Sequence, residues 1–309
     1  ARMTRRESTS LSSMKRSDHI TAYLMILPSL VLLGIFVFTP LFMSFEKSLT
    51  NWKLYQESQF IGLENFRMVL GNSLFRKSLE NILGFVLMIV PAQFILSFLF
   101  AHVLRGMNQR AGALIKTAIY IPTVISGVVA SVIFLFIFHY QGGILNWIVR
   151  QLGYKRIGFL AEPSLSRLSI AVTAIWMGFG YNSLIMFAGL QNIPQSYYEA
   201  AEVDGANRFE QLLFITLPSM KNTFILILIN LMTGTLQMFD LPYMMFGGSG
   251  GAGPVNSTLT PMVFVYNNFK SADFSLGYTI AAALLLMIVI GALNSLVFTV
   301  IGSQKSQDE

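Results

Sequence analysis

The stretch "SYYEAAEVDGANRFEQLLFITLP", residues 196–218, carries five charged residues and lies between two runs, 168–190 and 222–239, that carry none. A polar segment between two membrane-compatible runs has to lie at the bilayer surface, where water satisfies what lipid cannot. Ser196 followed three residues later by Glu199 is a capping-box pattern, in which hydroxyl and carboxylate each satisfy a backbone N–H at a helix start. A helix is predicted over 197–204, with Ala200 and Ala201 supplying high propensity and little bulk. Gly205 suits a left-handed stop. A second helix is predicted over 206–215, with Phe209, Leu212 and Leu213 on one face, and Pro218 marks the start of the next apolar run. The segment reads as a short, rigid surface helix held at a fixed angle by a glycine bend. Its alanines permit close approach of another surface. Its four acids, Glu199, Glu202, Asp204 and Glu210, suit a basic partner. The alternative is an amphipathic interfacial helix that only closes a loop.

Of 309 residues, 54% are hydrophobic and 12% charged, against about 25% charged in soluble domains. This is the composition of an integral membrane protein. A span needs about 20 mostly apolar residues, and six segments qualify: 22–45, 81–104, 117–140, 168–190, 222–246 and 276–301. The expectation is an all-α polytopic membrane protein. Residues 22–301 form one transmembrane domain of six helices, and the surface loop 194–218 lies within it. Residues 1–21 read as a basic, Ser-rich, disordered tail, and 302–309 as a short C-terminal tail. The first apolar run is too long for a signal-peptide core and reads as a retained anchor.

Six spans place both termini on one side. Eleven Lys and Arg fall on that side and ten on the other, so the positive-inside rule barely discriminates. Only the dense basic start favours cytoplasmic termini. The net charge of +6 reads as contact with anionic headgroups, not nucleic acid. The absence of Cys removes disulfides and thiol chemistry. His19, His102 and His139 lack a metal-binding spacing, so no metal site is expected. "GGSGGAG" lacks the Lys-Ser/Thr that completes a phosphate loop and reads as a flexible outer loop. No P-loop occurs elsewhere, so the chain is not expected to be an enzyme.

The stretch "EAAEVDGANRFEQLLFITLP" resembles the EAA loop of permease subunits of ABC importers, where Glu-Ala-Ala, three residues and Gly lead into a hydrophobic helix ending in Ile-x-Leu-Pro. Glu199, Ala200, Ala201, Gly205, Ile215, Leu217 and Pro218 match. "FIGLENFRMVL" (60–70), "FDLPYMMFGGSGGAGPVNST" (239–258) and "VYNNFKSADFSLGYTIAAAL" (265–284) are similar to segments of carbohydrate permeases of the maltose and glycerol-3-phosphate type. Phe246 departs from their frequent Thr, and the Gly-Gly-Pro of that family is stretched here. The resemblance implies the type I ABC importer permease fold, in a bacterial inner membrane with both termini cytoplasmic. It implies that Glu199, Ala200, Ala201, Asp204 and Gly205 belong to a coupling helix docked on a cytoplasmic ATPase. It also implies a second homologous permease, two ATPase subunits that bind the ATP and Mg, an external or periplasmic solute-binding protein, and a carbohydrate substrate, with an oligosaccharide expected.

Within the spans, Gly178, Tyr181 and Asn182 form a polar-tipped patch. Sugar sites pair aromatic faces with hydrogen-bonding groups, and Tyr offers both. The resemblance places Gly178 and Tyr181 on the translocation path; helix packing through small residues is the alternative. Thr235 and Gln237 are similar candidates in the fifth span. Asp240 is an acid at the end of that span, a functional candidate by default or else a hydrated interfacial residue. Two rival functions are a secondary transporter and a membrane-embedded enzyme. The first is expected to carry mid-membrane coupling acids and inverted repeats, the second a nucleophile-base or paired-acid constellation. Neither pattern is evident.

Overall fold

A computed structural model describes residues 21–53, 57–271 and 275–302. The two predicted tails, 1–21 and 302–309, fall outside these residues but for Thr21 and Gly302. Regular structure among the described residues is helical, apart from one isolated bridge between Thr50 and Phe60.

The first long helix, α1, runs Thr21–Ser48 and buries none of its apolar stretch against the rest of the chain. A short α2 (Glu64–Gly71) follows. Its Asn65 is fully buried and donates to the carbonyls of Ser48 (2.7 Å) and Thr50 (2.8 Å), which fixes how α1 ends. Then come α3 (Ser73–Arg105), α4 (Gln109–Val124), α5 (Gly127–Phe138) and α6 (Ile144–Gln151). The long α7 runs Pro163–Gln191, and the surface helix α8 covers Gln195–Val203. A short α9 (Arg208–Gln211) continues through a π turn, Leu212–Thr216, towards α10 (Lys221–Leu236). The chain closes with α11 (Asp240–Met245), α12 (Pro261–Lys270) and α13 (Leu276–Gly302).

The centre of the bundle is α3 packed along α7, with α4, α10 and α13 around them. Ile82, Phe85 and Ile89 of α3 meet Ile170 and Ala171 of α7 in one core cluster. Leu104 of α3 meets Met186, Leu190, Met220 and Ile227 in a second cluster nearer the surface loop. The approach of α4 to α7 depends on Gly180, because a Cβ there would collide with the Ile119 carbonyl.

Two predicted spans need correction. The segment 117–140 is not one helix. Instead, α4 and α5 meet at a bend of 98°. Pro122 in the last turn of α4 removes a backbone donor, and Ser126 caps α5 by accepting from Val129 N at 3.4 Å. The described residues therefore hold five apolar helical segments long enough to cross a membrane, Lys221–Met245 among them, and a sixth crossing only if this bent pair forms one span. The segment 222–246 is interrupted too. Regular helix ends at Leu236, Phe239 leaves helical geometry (φ −126°, ψ −54°), and α11 begins at Asp240. The Gly-rich loop, predicted to be flexible, is not a free flap. Thr258 Oγ1 donates to the Gly251 carbonyl (3.1 Å) and Asn267 Nδ2 to the Gly250 carbonyl (2.7 Å).

Candidate functional site

Two breaks in regular helix and the middle of one continuous helix share one place. The α4–α5 bend, the α10–α11 interruption and the middle of α7 border a cleft of about 620 Å³. Broken helices are tolerated at membrane depth where backbone is covered by protein or lines a cavity. Gly178, Tyr181 and Asn182 from α7 line the cleft, as do Thr235 of α10, Gln237 in the break and Asp240 at the start of α11. All six candidate path residues are thus gathered at one site, from α7 and from the α10–α11 region far along the chain.

They are not equivalent. Tyr181 is 42% exposed and presents both ring and hydroxyl. Asp240 and Gln237 are exposed, while Thr235 and Asn182 are buried. Asn182 Nδ2 donates to the Gly178 carbonyl at 3.0 Å, which occupies one of its donors. The space a side chain would take at Gly178 is filled by the Gln93 amide. Gly178 therefore acts through close packing against α3, as the small-residue alternative has it, as well as lining the cleft. Aspartate is the single formally charged residue on these walls, which otherwise mix amides, hydroxyls, aromatic rings and aliphatic side chains. Such walls offer hydrogen bonds and a ring face to a polar, uncharged solute.

The surface loop lies at the other end of α7. Tyr181 and Gln191, the last residue of α7, are roughly 15 Å apart at helical rise. The helix over 195–203 forms as expected, but it starts without a side-chain cap, at Pro194. Ser196 and Glu199 do not make the predicted capping box. The box forms one bend later. Asn207 Oδ1 accepts from Phe209 N and Glu210 N, each at 3.0 Å, and Glu210 Oε2 accepts from Asn207 N at 2.7 Å. The reason is competition for helix starts. Pro194 fixes its own φ and begins α8 unaided, whereas the chain leaving Gly205 needs a cap to start again. Gly205 has φ +84° with open space around it, the left-handed geometry that favours glycine. Glu199, Ala200, Asp204 and Gly205 are exposed and Ala201 is half-buried. Val203 at the tip of α8 is 89% exposed.

The sequence model of the family described as "binding-protein-dependent transport system inner membrane component" matches residues 15–304. The chain belongs to this family. The permease is 31% identical to the lactose transport system permease protein LacF of Rhizobium radiobacter, over 92% of this chain and 95% of that one. It is 31% identical to the trehalose/maltose transport system permease protein MalF of Thermococcus litoralis, over 87% of this chain and 90% of that one. Its fold matches a solved bacterial ABC transporter involved in the import of the acidic polysaccharide alginate. The TM-score is 0.80 at 20% identity, covering 96% of this chain and 100% of that one. The type I importer permease fold expected from the sequence is the fold observed.

The permease's cleft holds residues that sequence reading missed. Gln93 of α3, Thr123 of α4 and Asn230 of α10 also line it. Each is a polar residue inside an apolar run, the same signal that marked Thr235, and that signal alone could have found them. Gly127, where α5 begins, gave no sequence signal because its role depends on a bend the sequence does not announce.

Proposed function

We propose that this permease is one transmembrane half of an ATP-driven importer that moves a carbohydrate, an oligosaccharide by expectation, from an external or periplasmic solute-binding protein into the cytoplasm. The observation that carries the reading is the cleft at Tyr181. An aromatic ring, amides, hydroxyls and one carboxylate from α7, α10 and α11 converge there. The relatives named for lactose and trehalose/maltose transport support a sugar, and the family description supports a binding protein.

Tyr181, Gln237 and Asp240 lie exposed at the cleft, and α1 buries none of its apolar stretch. Both features fit a second, homologous permease that closes the other wall, with lipid covering the remaining apolar surface. Two cytoplasmic ATPase subunits hold the ATP and Mg, and this chain contributes no cofactor site and no catalysis of its own. The chain sits in the bacterial inner membrane with both termini cytoplasmic, and α8 is its coupling helix. Glu199, Ala200, Ala201, Asp204 and Gly205 form the face and bend that fit the ATPase. Closure of the ATPase pair on ATP shifts α8. Continuous helix in α7, from Gln191 to Tyr181, carries that shift about 15 Å towards the cleft, which then opens outward to receive sugar. Hydrolysis returns the bundle, and the sugar leaves inward.

The test is a reconstituted complex of both permeases, the ATPase and the binding protein in liposomes. Sugar-loaded binding protein is expected to stimulate ATP hydrolysis and drive uptake. Uptake that persists without ATP but follows an ion gradient would replace this reading with a secondary transporter.

A further inference from the structure

On α8, the side chain of Tyr198 points the opposite way from the exposed face. It is half-buried and packs against the core cluster of Leu104, Leu190, Ile193 and Met220. Arg105, at the last turn of α3, donates from Nη1 to the Tyr198 hydroxyl at 3.0 Å, and its guanidinium carbon lies 4.6 Å from the ring centroid. The same hydroxyl is 3.0 Å from Oγ1 of Thr216, which is buried. Thr216 Oγ1 in turn reaches the carbonyl of Gln211 at 3.3 Å, five residues back across the π turn.

The proton directions follow from the partners. A guanidinium has donors only, so the phenol oxygen accepts from Arg105. The phenol proton is then available to Thr216, and the Thr216 proton goes to the Gln211 carbonyl, which can only accept. One directed chain therefore joins the end of α3, the surface helix α8 and the π turn that leads into α10. Of these, α3 contributes Gln93 and α10 contributes Thr235 to the cleft. π turns carry an extra residue at a strained register and often occur at functional positions.

We propose that Tyr198 is a positioning residue that locks α8 to the ends of two cleft-lining helices through Arg105 and Thr216, so that motion of α8 becomes motion at the cleft. The inference rests on the reading of α8 as the coupling helix. Hydrogen bonds to charged groups in a low-dielectric setting are stronger than neutral ones in water. Removing the phenol oxygen breaks the chain at its centre while leaving the ring packed. Without it, α8 can still seat on the ATPase but moves independently of α3 and α10.

The experiment uses the full complex in liposomes, with a photo-crosslinking amino acid at the exposed Val203 to report docking, and with sugar uptake and ATP hydrolysis measured together. Tyr198→Phe is expected to keep the Val203 adduct to the ATPase and to keep hydrolysis, while sugar taken up per ATP falls on the order of tenfold. Thr216→Val is expected to give a similar loss, and the double variant no more than either alone, because both break one chain. Unchanged sugar per ATP in Tyr198→Phe, with the adduct intact, overturns the lock and leaves the docking reading standing. Additive losses in the double variant also overturn it. Absence of any adduct in the otherwise unaltered permease removes the docking reading itself and the lock with it.

Discussion

A methyl group on Gly127 would stand 2.8 Å from Oδ2 of Asp240 and 2.9 Å from its Cβ. The first residue of α5, just past the 98° bend between α4 and α5, therefore packs tightly against the first residue of α11 at the cleft, and a side chain at residue 127 would push Asp240 aside. Gly127→Ala overpacks this contact, at a typical cost of about 1–3 kcal/mol, against up to about 1 kcal/mol gained in helix propensity. The expected outcome is an assembled complex with uptake reduced severalfold. Asp240→Gly in the same chain should return part of the lost thermal stability. A thermal melt of the purified complex, read beside uptake, checks both; full activity in Gly127→Ala would show that the bend tolerates a side chain.

Tyr181 is exposed in the cleft and supplies both a ring and a hydroxyl. Tyr181→Phe keeps the stacking face and loses one hydrogen bond, about twofold to tenfold in apparent KM for a neutral partner. Tyr181→Ala loses both and should lower uptake much further, with complex assembly preserved. Initial uptake rates across sugar concentration measure this order. If the alanine variant fails only by failing to assemble, the residue packs helices and does not meet sugar.

Much of this architecture could be read from the sequence, for specific reasons. The runs at 81–104, 168–190 and 276–301 became α3, α7 and α13 because a long apolar segment has few ways to satisfy its backbone in lipid other than helix. The left-handed turn at Gly205 was equally legible, since few other residues adopt φ +84° without strain. The bend at Ser126 was hidden. Pro122 marks a weakness in a helix, but whether it kinks or breaks depends on what lies opposite, and Asp240 comes from far along the chain. The capping box was misplaced for a related reason. Ser196–Glu199 and Asn207–Glu210 both carry the pattern, and Pro194 had already started the first helix.

The relocated cap changes what Glu199 should do. Its carboxylate is exposed and α8 has no side-chain cap, so only its charge is left to act. Glu199→Gln and Glu199→Ala should weaken ATPase co-purification alike. Asn207→Ala removes the real cap, at about 1 kcal/mol, and should produce a mild loss that Asn207→Asp does not. A glutamine variant that holds the ATPase far better than the alanine variant would show that shape, not charge, matters at position 199.

Orientation can be mapped cleanly because the chain has no Cys. Val203 at 89% exposure and Val255 at 82% are suitable single-Cys sites, whereas Ser257, two residues after Val255, is buried. In intact cells an impermeant thiol reagent should label Val255→Cys and spare Val203→Cys. In inverted vesicles the pattern should reverse, with Val203→Cys shielded until the ATPase is stripped away. Labelling of Val203→Cys from outside the cell would put α8 on the wrong side of the membrane for coupling.

Gly205 separates backbone from side chain as the cause of a defect. Nothing lies within 4 Å of a Cβ built there, yet φ is +84°. Any substitution is therefore strained through φ alone, without a clash to confound it. A β-branched residue resists this region most, and the strain is on the order of 1–3 kcal/mol. Asn adopts it more readily than most residues. If α8 must meet the ATPase at a fixed angle, uptake should rank Gly above Asn, Asn above Ala, and Ala above Val. The Gly205→Val permease should still insert in the membrane but lose uptake and release the ATPase. Co-purification and uptake in the same preparations test the ranking. Equal activity in Gly205→Val and Gly205→Asn would mean the bend can relax freely, and a helix that relaxes freely cannot transmit a stroke.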